Sequence, residues 1–90
     1  MPRFLVERTF PDKLTLPAPN GDGHPCQELI ANNRLEGVTW LYSFVTADRR
    51  RSYCICEALS AEAVRRAAQR NGWPADRITE VYGLDPYFPT

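Results

Sequence analysis

The candidate ligands for a transition-metal ion in this sequence are Glu7, His24, Cys26 and Glu57. Together they offer thiolate, imidazole and carboxylate groups, a mixed set that suits nickel, zinc or copper. The sequence therefore contains a candidate site for nickel or another divalent transition metal. The alternative is that both glutamates pair with arginines, Cys26 only begins a helix and His24 is an ordinary loop residue.

A second set of side chains suits acid–base chemistry on a small-molecule ligand. Glu7 or Glu80 is the candidate general base, and Tyr42 or Tyr53 is the candidate hydrogen-bond donor to a developing oxyanion. A carboxylate enclosed by aromatic side chains loses hydration, which raises its pKa toward the range of a general base. The alternative is a plain dimer interface. The sequence contains no Gly-rich phosphate loop and no nucleophile elbow. It therefore does not decide whether the chain is an enzyme.

The remaining cysteines, Cys54 and Cys56, lie two positions apart in a run typical of a strand and therefore share one face. A Cys-x-Cys pair with one distant histidine falls far short of a zinc signature. Two small thiols in a core explain the pair better. We expect both thiols to be reduced, buried and not catalytic.

The elements that must position these groups follow from periodicity. Alternation with period two in GVTWLYSFV, residues 37–45, and in RSYCICEA, residues 51–58, predicts two strands joined by a short turn. Residues 3–10 and 78–84 are predicted as further strands. Residues 26–36 and 61–71 are predicted as helices, the second capped by Ser60 and Gly72.

The resulting order is β-α-β-β-α-β, the α+β arrangement called ferredoxin-like. In this arrangement two helices cover one face of a four-stranded antiparallel sheet. The other face is left open, and chains of this size commonly bury it by forming a homodimer. Because 90 residues suffice for one modest core, residues 1–90 are expected to form a single domain.

Alternation along the strands also assigns side chains to the two faces of the sheet. The helix-covered face is expected to hold Phe4, Val6, Leu41, Val45, Cys54, Cys56 and Val81. The open face is expected to hold Leu5, Glu7, Trp40, Tyr42, Phe44, Tyr53, Ile55, Glu57, Ile78, Glu80 and Tyr82. Aromatic groups with a few polar ones are typical of a ligand pocket. So much apolar surface also predicts a homodimer through the open face.

The composition excludes several classes of protein. The 11 basic and 11 acidic residues give a formal net charge of zero, which argues against binding to nucleic acid or to a membrane surface. The one basic run, residues 49–51, is typical of a solvated hairpin tip. No apolar run approaches a membrane span and no signal peptide precedes the first strand, so we expect a cytoplasmic protein.

Several blocks of sequence carry a resemblance to a known family. They are RFLVERTFP at residues 3–11, GVTWLYSFV at 37–45, YCICEA at 53–58, RNGWP at 70–74, and DRITEV with LDPYF within 76–88. In the order and spacing of these blocks the chain resembles the DUF4242 family of small bacterial proteins, described as nickel-binding or of unknown function. The resemblance covers nearly the whole chain except residues 14–25.

The resemblance implies a ferredoxin-like chain that pairs into a dimeric α/β barrel, with nickel binding in some members. In those members, histidines on the first strand, the first helix and the turn after the second helix are the natural ligands. Here Glu7 occupies the first-strand position, Cys26 falls near the first-helix position and Trp73 stands in the turn. The single histidine, His24, lies in the variable loop.

Three functions therefore stay open at the level of sequence. The first is a small dimeric protein that binds nickel or a similar metal. The second is a cofactor-free enzyme of the cyclase, isomerase or oxygenase type, or a small-molecule binder, which uses an open-face carboxylate; analogy of fold alone permits it. The third is a structural or regulatory dimer without a ligand.

Overall fold

The architecture is a four-stranded antiparallel sheet with two helices, and the computed structural model describes residues 1–14 and 26–88 of it. The elements are β1 (Arg3–Thr9), α1 (Gln27–Leu35), β2 (Thr39–Val45), β3 (Arg51–Glu57), α2 (Ala61–Asn71) and β4 (Arg77–Val81). The strand order is β2-β3-β1-β4. The predicted ferredoxin-like α+β fold is confirmed, although the last strand ends at Val81 rather than at residue 84.

Helix α2 forms as its sequence predicts. The Ser60 side chain accepts a hydrogen bond from the backbone nitrogen of Ala63 at 3.2 Å, which satisfies one of the free N–H groups of the first turn. Gly72 ends the helix with φ of 68°, a conformation that glycine adopts without steric cost. The buried stripe consists of small side chains, which let the helix approach the sheet closely: Ala63, Val64, Ala67 and Ala68.

Helix α1 is held largely by polar contacts, because Asn33 is its one buried residue. Asn33 accepts a hydrogen bond from the Asn71 side chain of α2 at 3.0 Å. Just after α1, Glu36 lies 2.8 Å from Arg70 and 3.0 Å from Arg66. Hydrogen bonds from Arg70, and then from Arg66, lower the pKa of the Glu36 carboxyl. These contacts fix the beginning of the hairpin relative to α2.

A bulge in β2 changes the predicted face of one aromatic residue. The register moves from Trp40 opposite Cys56 to Tyr42 opposite Ile55, so Leu41 is the extra residue. Trp40 therefore lies on the helix side, where it packs against the core, and its prediction as an open-face residue is wrong. Leu41 and Val45 are both exposed, so neither belongs to the predicted core. One inserted residue exchanges the two faces for every side chain on one side of the bulge, and the period-two pattern of the sequence does not show where such a residue lies.

The alternation in β4 is also opposite to the prediction. Ile78 lies opposite Val6, and Glu80 lies opposite Phe4, so both belong to the helix side of the sheet. Val81 lies opposite Arg3 and hence on the open face. Ile78 and Val81 are three positions apart, so alternation places them on opposite faces of the sheet. The sequence of this short strand does not show which of the two faces the helices, and pairing with β1 decides it.

The core lies between the sheet and α2. Its buried members are Phe4, Val6, Val38, Cys54, Cys56, Ala58, Ala63, Val64 and Ala67. No helix among the described residues is long and apolar enough to cross a membrane. The core occupies one face of the sheet, so the other face is free to carry the candidate functional groups.

Candidate functional site

The open face carries two of the predicted carboxylates, and each pairs with an arginine across the strands. Glu7 lies opposite Arg77, with Oε2 and Nε 3.9 Å apart. Glu57 lies opposite Arg3, and the distance between Glu57 Oε2 and Arg3 Nε is 3.7 Å. Because Arg3 and Glu7 are four residues apart on β1, the two glutamates are separated by about 13 Å. One metal ion cannot bind both glutamates of a single chain.

Aromatic side chains occupy the neighbouring positions of the open face. Tyr42 and Phe44 contact each other edge to face, with ring centroids 5.0 Å apart, and are 62% and 61% exposed. Ile55 lies opposite both Tyr42 and Leu5, so a row of apolar groups crosses three strands. This row leaves more apolar area accessible than isolated surface residues would.

The predicted catalytic set is not brought together. Glu7 and Tyr42 lie on the open face, whereas Glu80 lies on the helix side of β4, as its position opposite Phe4 shows. Tyr82 donates a hydrogen bond to Glu80 at 3.1 Å, which raises the pKa of the Tyr82 phenol. The phenol directly opposite Glu7 is that of Tyr53. Glu7 and Tyr53 are thus the pair that the geometry permits.

Cys26 lies at the N-cap of α1, where its side chain makes no capping hydrogen bond. Together with Ile30 of α1 it lines a cavity of about 370 Å³ along the exposed edge strand β2. We call this cavity the edge groove, and its other lining residues are Trp40, Leu41, Tyr42 and Ser43. Partial burial raises the pKa of the Cys26 thiol. The thiol is therefore protonated at neutral pH unless a metal displaces the proton.

The predicted metal ligands are not assembled by the described part of one chain. Within residues 1–14 and 26–88, no group of three His, Cys, Asp or Glu side chains is placed to hold one ion. Neither Glu7 nor Glu57 lines the edge groove. His24 lies outside the described residues. Cys26 is thus the one predicted ligand that the described structure places in the edge groove, and this incomplete donor set does not by itself form a nickel site.

A second cavity, of about 170 Å³, lies at the end of the sheet where β1 ends and β4 begins. We call it the sheet-end pocket. Its charged and polar lining includes Glu7, Tyr53, Asp76, Arg51 and Arg77. Opposite charges line the same pocket, which suits a ligand that carries both acidic and basic groups.

Asp76 and Arg77 are lining residues of the sheet-end pocket that the sequence reasoning did not single out, and Arg8 also lines this pocket. Asp76 is fixed beside β1 because its backbone nitrogen donates to the Glu7 carbonyl at 2.9 Å. Arg8 is buried on the helix side. Its position had a signal in the sequence, since it follows Phe4 and Val6 at the same two-residue spacing. That spacing places its side chain toward the core.

The buried thiols occupy the positions predicted for them. Cys54 and Cys56 are free, and they are 2% and 3% exposed on the helix side. Burial, followed by the neighbouring Cys54, raises the pKa of the Cys56 thiol to about 11. A protonated, enclosed thiol is a poor nucleophile and a poor metal ligand. This agrees with a packing role for both residues.

Two comparisons with known proteins, one with family models and one with solved structures, found a match. Residues 4–81 match the model of the family described as nickel-responsive protein SCO4226-like. The chain is similar to the crystal structure of SCO4226 from Streptomyces coelicolor A3(2), with 26% sequence identity and a TM-score of 0.71, over 92% of this chain and 99% of that one. No curated protein matches. These matches are consistent with the resemblance to DUF4242, a label that they do not themselves confirm.

Proposed function

This chain belongs to the SCO4226-like family of nickel-responsive proteins, and we propose that it binds Ni²⁺ at the edge groove. The observation that carries the proposal is the position of Cys26, a thiol ligand beside an accessible cavity. Thiolate and imidazole groups both bind nickel well, and His24 stands two residues before Cys26 in the sequence. In this proposal Cys26 and His24 are ligands to the ion.

The open-face glutamates have a different role in this proposal. Glu7 and Glu57 are each beside an arginine and outside the edge groove. A carboxylate that leaves an arginine to bind a metal gives up a favourable charge pair. We therefore propose that neither Glu7 nor Glu57 binds the ion held by Cys26.

The test is titration of Ni²⁺ into protein purified without a histidine tag, followed by calorimetry and by thiolate-to-nickel charge-transfer absorption. Cys26→Ser should abolish the charge-transfer band, and His24→Gln should weaken binding by about tenfold or more. The matched control is Glu57→Gln, which should bind like the wild type. Unchanged binding in Cys26→Ser would refute the proposed site, while the absence of any binding by the wild type would refute the function.

We also propose that two copies of the chain pair through the open face. The support is the exposed row of Tyr42, Ile55 and Leu5 with Phe44 beside it, on a sheet face that the helices do not cover. Burial of such a row removes apolar surface from water, which favours association. Sedimentation at high micromolar concentration tests the pairing, and a monomer under those conditions would contradict it.

A second candidate function is the binding of a small charged molecule at the sheet-end pocket, with Glu7 as base and Tyr53 as donor if the ligand reacts. The observation that favours it is the cavity itself, which places Glu7 and Asp76 beside Arg51 and Arg77. A screen of small zwitterionic molecules by thermal melting tests it, because a ligand that binds the folded state raises the melting temperature. Asp76→Asn should remove the response.

If neither nickel nor a small molecule binds, the remaining function is that of a structural or regulatory dimer without a ligand.

A further inference from the structure

An asparagine–glycine pair, Asn71–Gly72, lies where α2 ends. In this dipeptide asparagine loses its side-chain amide more readily than before other residues, because glycine has no Cβ to hinder its backbone nitrogen. The Gly72 nitrogen attacks Cγ of Asn71 and loses its proton, ammonia leaves, and a five-membered succinimide forms. Water then opens the ring at either carbonyl, which gives aspartate or isoaspartate. The pair is therefore a candidate site of covalent modification.

The folded protein engages the groups that this reaction must move. The side-chain nitrogen of Asn71 donates a hydrogen bond to Oδ1 of Asn33 at 3.0 Å, and Oδ1 of Asn71 accepts one from Nδ2 of Asn32 at 2.9 Å. The Gly72 nitrogen donates to the Gln69 carbonyl at 3.1 Å. Asn71 is also the last residue of α2, and a helical backbone holds ψ at about −42°. Ring closure therefore requires these contacts to break and the backbone to rotate.

Both contacts to the Asn71 side chain come from α1, so the position of this helix controls the reactivity of the amide. Asn33 is the one buried residue of α1, and the helix therefore gains little from apolar burial. It is held to α2 largely by its two asparagines and by the ion pairs of Glu36. Segments with little buried apolar area open locally while the rest of the chain stays folded. Such an opening of α1 would free the Asn71 amide and leave the sheet intact.

We infer that Asn71 is a deamidation site whose reactivity is gated by the docking of α1 on α2. While Asn32 and Asn33 hold the amide, the residue is protected, and when α1 undocks, the Gly72 nitrogen closes the ring. The product favours the undocked state, because an aspartate at position 71 has no N–H to donate to Asn33. An isoaspartate also adds a methylene to the main chain just before Gly72, whose αL conformation ends α2. The inference does not depend on nickel, since none of these residues lines the edge groove.

The test measures the rate of deamidation at Asn71 in the native wild-type protein and in the same protein unfolded by urea. Trypsin cleaves after Arg70 and after Arg77, and so isolates residues 71–77 as the peptide NGWPADR. Liquid chromatography with mass spectrometry separates the amide, aspartate and isoaspartate forms of this peptide. The native rate should be lower than the unfolded rate by about tenfold or more. A native rate equal to the unfolded rate would overturn the inference.

Three variants separate local opening of α1 from unfolding of the whole chain. Asn33→Ala removes the acceptor of the Asn71 amide and should raise the native rate by about fivefold. Asn32→Ala changes a less buried residue, should also raise the rate, and replaces Asn33→Ala if that variant does not fold. Ser60→Ala is the matched control, because it weakens the other end of α2 without touching the asparagines, and its native rate should equal that of the wild type. A rate that rises as much in Ser60→Ala as in Asn32→Ala, or that rises in none of the variants, would overturn the inference.

Discussion

Trp40 donates a hydrogen bond of 2.6 Å from its indole nitrogen to the hydroxyl of Ser43, across the bulge in β2. The bond joins the residues on either side of the register shift, and both point to the helix side of the sheet. We therefore expect Trp40→Ala to lower the free energy of unfolding by roughly 2–3 kcal/mol, because the indole is half buried. Chemical denaturation measures this value.

Phe44 provides the matched contrast to Trp40, since it is exposed on the open face. Phe44→Glu should weaken the proposed homodimer without a comparable loss of stability in the isolated chain. Sedimentation equilibrium over a range of concentrations separates the two effects. Equal dimer affinity in Phe44→Glu and the wild type would remove the open face as the interface.

Nickel binding through Cys26 should strengthen as the pH rises. Burial raises the pKa of this thiol, so below that pKa the metal must displace a proton. We expect the affinity to increase by about tenfold per pH unit between pH 6.5 and 8.5 from this proton alone. Calorimetry in two buffers with different ionisation enthalpies measures the released proton directly. Binding that releases no proton would show that the thiol is not a ligand.

The three thiols should differ in reactivity toward a maleimide. Cys26 lies at the accessible groove and should react first, whereas Cys54 and Cys56 are enclosed. Mass spectrometry of the native protein over time distinguishes them. Rapid labelling of all three thiols would contradict the packing role of the buried pair.

The ion pairs of Glu36 should contribute to stability in a pH-dependent way. Because Arg70 and Arg66 lower the pKa of the folded carboxyl, its stabilising effect is complete above the ordinary pKa of 4.5 and is lost as the pH falls through the lower, folded value. Glu36→Gln should therefore melt at a lower temperature than the wild type at pH 7 but not in strong acid. Glu62→Gln, whose single partner Arg65 is 3.9 Å away, is the control and should change little.

Ser60→Ala should lower the free energy of unfolding by about 1 kcal/mol, because it removes the hydrogen bond to the Ala63 nitrogen. Thermal melting at neutral pH checks the value. Asn at this position should restore most of the loss, since its side-chain oxygen caps equally well. A stability loss that Asn does not restore would point to a packing role instead.

The sequence predicted those parts of the fold that depend on local rules. Ser60 and Gly72 bound α2 because capping is a property of a few neighbouring residues. The faces of Trp40 and Glu80 were predicted wrongly because each depends on pairing between strands. A bulge or a register shift is decided by the neighbouring strand and leaves little trace in the strand itself.

The candidate site was predictable in its chemical types but not in its grouping. Glu7 and Glu57 do lie on the open face, as alternation predicts, but about 13 Å apart. Alternation assigns a side chain to a face without giving its distance from another strand's residues. Arg8 shows the converse, since it is buried two positions after Val6 although a charged side chain is usually exposed.

The position of β1 within the sheet has a consequence for how the chain folds. This strand comes first in the sequence but is flanked by β3 and β4, which are made much later. During synthesis β1 therefore has no partner until most of the protein has left the ribosome, while the β2–β3 hairpin can form locally. The apolar side chains of Phe4 and Val6 therefore have no core to pack into until the hairpin and α2 have been made.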